Sequence, residues 1–164
     1  MAVRDVLTIG DPRLRQVSAP VERFDDPALP ALLDDLRDTM AATDGAGLAA
    51  PQIGVPLRVV IFGITANPRY PEAPPIPETV LINPTLTPLG EERDDDVWEG
   101  CLSVPGWRAR VPRWRRLHYR GFDGRGQPFE RKVEGFHARV VQHECDHLDG
   151  LLFPDRMPAG LPRG

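Results

Sequence analysis

A fold of mixed class, two helices flanking a mainly β middle, is what the sequence predicts. Three observations carry this reading. Two segments hold apolar residues at helical spacing, four short β-like runs lie between them, and nineteen prolines stand among 164 residues, about twice the average usage. Prolines at that density limit long helices. A chain of this length fits one domain, residues 1–164, large enough to bury roughly two thirds of its unfolded surface.

The first helix is expected over 27–43, where Leu29, Leu32, Leu33, Leu36 and Met40 recur at helical spacing and define one buried stripe. Asp25 or Asp26 can cap its start, Pro27 suits its first turn, and Gly45 can end it. The β-like runs cover 58–62, 79–82, 117–122 and 129–133, with Asp123-Gly124-Arg125-Gly126 reading as a hairpin turn between the last two. Residues 65–77 hold Pro68, Pro71, Pro74, Pro75 and Pro77, a composition that cannot ladder into a sheet and reads as a polyproline-like surface loop. The second helix follows from Phe136, Val140, Val141, Glu144, His147 and Leu148, with Gly150 beyond its end. After Leu152 the prolines at 154, 158 and 162 predict an irregular tail.

Composition removes several function classes. The chain is 41% hydrophobic and 27% charged, and no apolar run approaches the roughly 18 residues a membrane span needs. Net charge is -4 with 20 basic and 24 acidic residues interleaved, so there is no field to hold nucleic acid and direct DNA binding is not expected. Cys101 and Cys145 allow at most one bridge, and the N-terminal residues lack the apolar core of a secretory signal. A reducing, cytoplasmic setting is expected, in which cysteine acts as thiolate or metal ligand.

The chemistry begins at Gln142-His143-Glu144-Cys145-Asp146-His147. Helix positions four apart share a face, so His143 and His147 can present both imidazoles to one metal ion with Glu144 beside them as a general base. A catalytic metal of this kind takes three protein ligands and keeps one position open. Only Asp149 and Asp155 follow the motif, at spacings that match neither common protease pattern, so the third ligand should lie elsewhere. Glu99-Gly100-Cys101-Leu102-Ser103 offers a candidate, because a cysteine beside glycine can approach a metal closely and zinc or iron accepts a thiolate. Cys145 is two residues from each histidine and points away from their face; it reads as core. A third segment, Asp44-Gly45-Ala46-Gly47-Leu48-Ala49-Ala50-Pro51-Gln52, leaves a helix and lacks the lysine of a phosphate loop. Its small residues suit backbone lying against a ligand, with Gln52 as one donor.

Together the three segments resemble the peptide deformylase family, whose signatures are GxGLAAxQ, EGCLS and HExDH. Here they read Gly45 to Gln52, Glu99 to Ser103 and His143 to His147, in the family's order. The resemblance covers about residues 3 to 155. It implies an α+β fold, with short antiparallel β-sheets around a central helix carrying HExxH, plus an N-terminal helix. It further implies a metal-dependent hydrolase that removes the formyl group from the N-terminal formyl-methionine of newly synthesised polypeptides and releases formate.

By the same resemblance, Cys101, His143 and His147 are the metal ligands, for Fe²⁺ in the cell with Zn²⁺, Ni²⁺ or Co²⁺ able to substitute. Glu144 moves the proton, and the Gln52 amide and Leu102 backbone N–H hold the oxyanion. Gly45, Gly47 and Gly100 lie beside the substrate backbone, which joins as an added strand. Ala46, Val97, Phe136 and Val140 line the methionine pocket, and Arg108 stands at its mouth. His118 and His137 lie outside the motifs and read as surface or hydrogen-bonded core residues. The partners implied are N-formyl-methionyl nascent peptides at the ribosome exit. The chain ends soon after Asp155 without the C-terminal helix that some bacterial members use at the ribosome, so docking by that route is not expected. No oligomeric state is specified.

Two rival functions fit less of the sequence. An HExxH metalloprotease would share the activated water, but the third ligand downstream is missing and the EGCLS cysteine has no place in it. An inactive peptide-binding module of the same fold would not need Glu144, Gln52 and all three ligands together.

Overall fold

The computed structural model describes residues 2–64 and 75–157. A 3-10 turn, Pro12–Arg15, precedes α1 (Ala28–Thr43). The Asp26 carboxylate accepts from the Ala28 N–H at 2.9 Å, the cap the sequence offers. Leu29, Leu32, Leu33 and Leu36 form the buried stripe, each worth roughly 1.5–3 kcal/mol when fully removed from water. The end of α1 differs from expectation. Asp44, not Gly45, takes the left-handed conformation (φ 54°) and bonds the Met40 carbonyl, because a short polar side chain tolerates that region.

Among the described residues nine strands make up the expected β middle: β1 (Gly47–Ala49), β2 (Val59–Ile64), β3 (Ile76–Pro88), β4 (Arg93–Asp94), β5 (Trp98–Cys101), β6 (Val104–Arg110), β7 (Arg113–Trp114), β8 (Arg116–Phe122) and β9 (Pro128–Glu134). A 3-10 turn, Ala50–Ile53, links β1 to β2. The five-stranded sheet runs β1-β2-β3-β8-β9, and β4-β7 and β5-β6 form two small sheets; every ladder is antiparallel. The class is therefore α+β. Strand β3 takes in Ile76 and Pro77, which the sequence reading assigned to the proline loop. Ile76 pairs with Ile64 beside a bulge, and Pro77 sits near the strand's start, where a missing N–H is tolerated. The rest of that loop, 65–74, lies outside the described residues. In the β8–β9 hairpin the Asp123 carboxylate accepts from the N–H groups of Arg125 and Gln127, closing the expected turn.

Strand β2 explains how two helices are held. Val60 and Phe62 face α2 (Gly135–Leu148), in one core with Ala49, Leu81, Tyr119, Val141 and Leu148. Val59 and Ile61 face α1, in a second core with Leu36, Leu48 and Ile82. Successive strand residues point to opposite faces, so a sheet covered on both sides needs a continuous apolar run, and Val59 to Phe62 supplies it. Cys145 lies in the first core, where burial pushes its thiol pKa up and makes it inert. A third cluster joins Leu14, Cys101, Val104, Ala109 and Val111 to Leu152 and Phe153 of a closing 3-10 turn, Phe153–Arg156. That turn departs from the irregular tail expected, with Pro154 at its second position, inside the first turn where a missing N–H is tolerated; 158–164 lie outside the described residues. Among the described residues no helix is long and apolar enough to cross a membrane.

Candidate metal centre and cleft

Helix α2 carries His143 and His147 one turn apart, with ring centroids 5.3 Å from each other. Cys101 ends β5, and its Sγ lies 3.5 Å from His147 Nε2. One donor atom from each of the three residues falls within 4.8 Å of the others, and all three residues are buried. A thiol and two imidazoles converging from two elements fit one divalent ion of the zinc or iron type, with room for a further ligand. Burial, then the neighbouring positive charges of His143 and Arg113, hold the His147 pKa well below the usual range. His147 is accordingly neutral, the form that donates a lone pair.

His143 is oriented from behind. Glu99 Oε1 lies 2.7 Å from His143 Nδ1, which directs the other ring nitrogen forward. Glu99 is itself buried, and burial alone would raise its pKa. The charge and hydrogen bonds of Arg113, with those of His143, win and hold the carboxyl well below the usual range. Arg113 grips it with two bonds of 2.8 and 2.9 Å, and Arg139 adds a further bond to Oε2. A buried carboxylate is tolerated only with such pairing.

Glu144 points into the same space, its Oε1 3.9 Å from His147 Nε2. Gln52, in the Ala50–Ile53 turn, is held at both ends. Its Oε1 accepts from the Ala49 N–H at 2.9 Å, and its Nε2 donates to Ser103 Oγ at 3.0 Å with Cys101 Sγ 3.7 Å away. The amide nitrogen thus faces the ligand set. Leu102 and Ser103 make the turn between β5 and β6.

The cleft in front of the ligands is bordered by Gly45, Ala46 and Gly47 on one side, Gly100 and Leu102 on the other, and Phe136, Val140 and Glu144 from α2. Two expected residues are not brought there. Val97 precedes β5, and strand alternation puts Trp98, half-exposed, on the side of Gly100 in its place. Arg108 stands across the β5–β6 ladder from Gly100, one strand removed and exposed. The sequence reading missed Trp98, Ser103, Arg113 and Arg139. Trp98 directly precedes EGC and Ser103 closes the EGCLS segment, whereas Arg113 and Arg139 have no local signal. Away from the cleft, His137 meets Tyr119 Oη at 3.0 Å and His118 Nε2 stands 3.5 Å from Glu130, matching the plain roles expected of them.

Such an arrangement can hold an ion, take a proton from water at Glu144 and offer an amide donor to developing negative charge. The polypeptide deformylase family model matches residues 3–161. Peptide deformylase 1 of Bordetella pertussis is 59% identical over 155 residues, which cover 94% of this chain and 88% of that protein. Peptide deformylase 1 of Nitrosomonas europaea is 60% identical over 155 residues, with the same coverage of 94% and 88%. The class I type b peptide deformylase from Acinetobacter baumannii superposes with a TM-score of 0.91 at 37% identity, covering 96% of this chain and 100% of that one. Its structure with bound Met-Ala-Ser superposes with a TM-score of 0.90, covering 95% and 99%.

Proposed function

Since the chain belongs to the polypeptide deformylase family, we propose that it hydrolyses the N-terminal formyl group of formyl-methionyl nascent polypeptides and releases formate. The observation that carries the reading is the convergence of Cys101, His143 and His147 beside Glu144 and Gln52.

Cys101, His143 and His147 hold one divalent ion, Fe²⁺ in the cell, for which Zn²⁺, Ni²⁺ or Co²⁺ can substitute. When bound, the ion supplies the Lewis acidity that makes water a nucleophile near neutral pH. Glu144 takes the proton from the attacking water and delivers it to the leaving amine nitrogen, the two halves of one general acid–base cycle. The Gln52 amide and the Leu102 backbone N–H donate to the oxygen on the formyl carbon as negative charge develops there. Each such donor is worth about 2.7–4 kcal/mol of barrier. Gln52 is held in place for this, because Ala49 and Ser103 already fix its amide.

The substrate backbone lies as an added strand between Gly47, on the outer strand of the main sheet, and Gly100 of β5. Ala46, Phe136 and Val140 receive the methionine side chain, and Gly45 borders the peptide. The whole chain acts as one catalytic domain in the cytoplasm, on chains emerging at the ribosome exit.

The test is formate release from formyl-Met-Ala-Ser by anaerobically purified protein, together with elemental analysis. The expected result is one divalent ion per chain and stoichiometric formate. Protein that stays metal-free after preparation in Fe²⁺, Ni²⁺ or Zn²⁺, or that cuts an internal peptide bond instead, would overturn the reading.

A further inference from the structure

Nine residues beyond His147, Arg156 closes a chain of ion pairs that ends on His143. We propose that Arg156 is a positioning residue of the metal centre, through which the C-terminal turn tightens the hold on the ion without touching it. The proposal rests on Cys101, His143 and His147 being the ligand set.

The links are continuous. Arg156 grips Asp146 with two bonds, Nε to Oδ2 at 3.1 Å and Nη2 to Oδ1 at 2.8 Å. Asp146 Oδ2 also accepts from Arg113 Nη1 at 2.6 Å. Arg113 grips both oxygens of Glu99, and Glu99 Oε1 meets His143 Nδ1. Two of the three guanidinium–carboxylate pairs are two-pronged, and such a pair fixes the plane of its partner as well as its charge. Asp146, Arg113 and Glu99 are buried, so their coupling is weakly screened; Arg156 is 48% exposed and forms the solvent end. Without it, Asp146 Oδ1 loses its donor in that grip, the carboxylate is free to turn, and Arg113 is drawn off Glu99. The imidazole behind which Glu99 stands then loses its fixed orientation.

A structural role for the same turn must be separated from this. Leu152 and Phe153 pack in one cluster with Cys101, and the Phe153 ring lies near parallel to that of His143 at 6.4 Å. The turn is tethered a second time, by Arg15, whose Nη1 pairs with Asp155 at 2.5 Å and donates to the Gly150 carbonyl at 3.2 Å. Arg15→Ala therefore loosens the turn and leaves the grip on Asp146 intact.

The experiment loads the full chain with Ni²⁺ and follows its release to excess chelator in wild type, Arg156→Ala, Arg156→Lys, Arg15→Ala, Asp146→Asn and the Arg156→Ala/Asp146→Asn double variant. Melting of the metal-free forms is measured alongside. Arg156→Ala should release Ni²⁺ about fivefold faster or more, below the roughly 10–100-fold typical of groups touching a ligand directly. Arg156→Lys should fall between, since an ammonium cannot make the two-pronged grip. Arg15→Ala should stay within about twofold of wild type even where its melting falls as far, and the double variant should release no faster than Asp146→Asn. Wild-type release from Arg156→Ala, equal release from Arg15→Ala, or additive effects in the double variant would overturn the proposal. A wild type that holds no Ni²⁺ would overturn the ligand reading beneath it.

Discussion

Gly47 and Glu144 approach each other at the one atom glycine lacks: a Cβ at Gly47 would stand 2.7 Å from Glu144 Oε2 and 2.8 Å from its Cγ. Both residues are buried, so the carboxylate cannot swing clear into solvent. Gly47→Ala should displace Glu144 while leaving Cys101, His143 and His147 in place. The expected outcome is full metal content with turnover lowered at least about tenfold, on the general scale of misplaced reacting groups. Unchanged turnover, checked by formate release, would mean the carboxylate position does not matter.

Glu144→Ala separates proton transfer from ion binding. Glu144 borders the cleft and is not one of the three converging donors. The variant should retain one ion per chain and lose at least about a hundredfold in turnover, the usual contribution of a positioned acid–base group. Loss of metal along with activity would instead make Glu144 part of the ion's cage.

Glu99→Gln tests the support behind His143. The amide keeps the shape but gives up the charge that faces Arg113 and Arg139 and the acceptor strength at His143 Nδ1. Metal affinity should fall roughly 10–100-fold, measured by chelator competition. Stability should fall too, because the buried Arg139 loses its counter-charge and the buried Arg113 keeps only Asp146.

How much of this was legible depended on whether a signal was local. Helix α1 announced itself by leucines at helical spacing, and the ligand pair by a four-residue interval on α2. The hairpin that carries Cys101 did not. Trp98-Glu99-Gly100-Cys101 has neither alternation nor β-branched residues, and it is a strand only because β6 pairs with it. Chemistry singles out Cys101, as a third donor beside two histidines, and the fold brings its Sγ to them. Arg113 and Arg139 could not be found that way: their meaning comes from Glu99, fourteen and forty positions away, through contacts only the fold makes. Gly45 failed as the helix end for a smaller reason, since Asp44 accepts the left-handed turn itself.

His137 predicts a pH effect on stability separate from the metal. Burial, then Arg131, push its pKa down from 6.5 to about 4, so the folded chain holds this imidazole neutral where the unfolded chain would protonate it. The unfolded state binds the extra proton between those values, and stability therefore falls as pH drops from about 6.5 to about 4. His137→Gln removes the term while keeping a group that can bond Tyr119 Oη. Relative to wild type, the variant's melting temperature should rise as pH goes from about 7 to about 5. A constant gap between the two would show that His137 does not resist protonation.

Discrimination at the acyl group is the sharpest demand the proposed site makes. A formyl carbon carries only hydrogen beside its oxygen, whereas acetyl adds a methyl to a space already bounded by Gln52, Leu102, Glu144 and the ligands. In a yielding apolar pocket one methyl changes binding by only about 1–3 kcal/mol. This space cannot yield: Gln52 is pinned by Ala49 and Ser103, and Glu144 is wedged against Gly47. The methyl would have to lift the oxyanion from its donors and turn the carbonyl away from the attacking water. Formyl-Met-Ala-Ser should therefore be cleaved at least about a thousandfold better than its acetyl analogue, roughly 4 kcal/mol of barrier. Aspartate in place of methionine should be severely damaging as well. Ala46, Phe136 and Val140 offer it no partner, and Arg139, which borders the cleft, is committed to Glu99 and to the carbonyls of Asp94 and Val111. Kinetics on the three peptides decide the matter, and comparable kcat/KM for formyl and acetyl substrates would mean that the oxyanion donors are not where Gln52 and Leu102 put them.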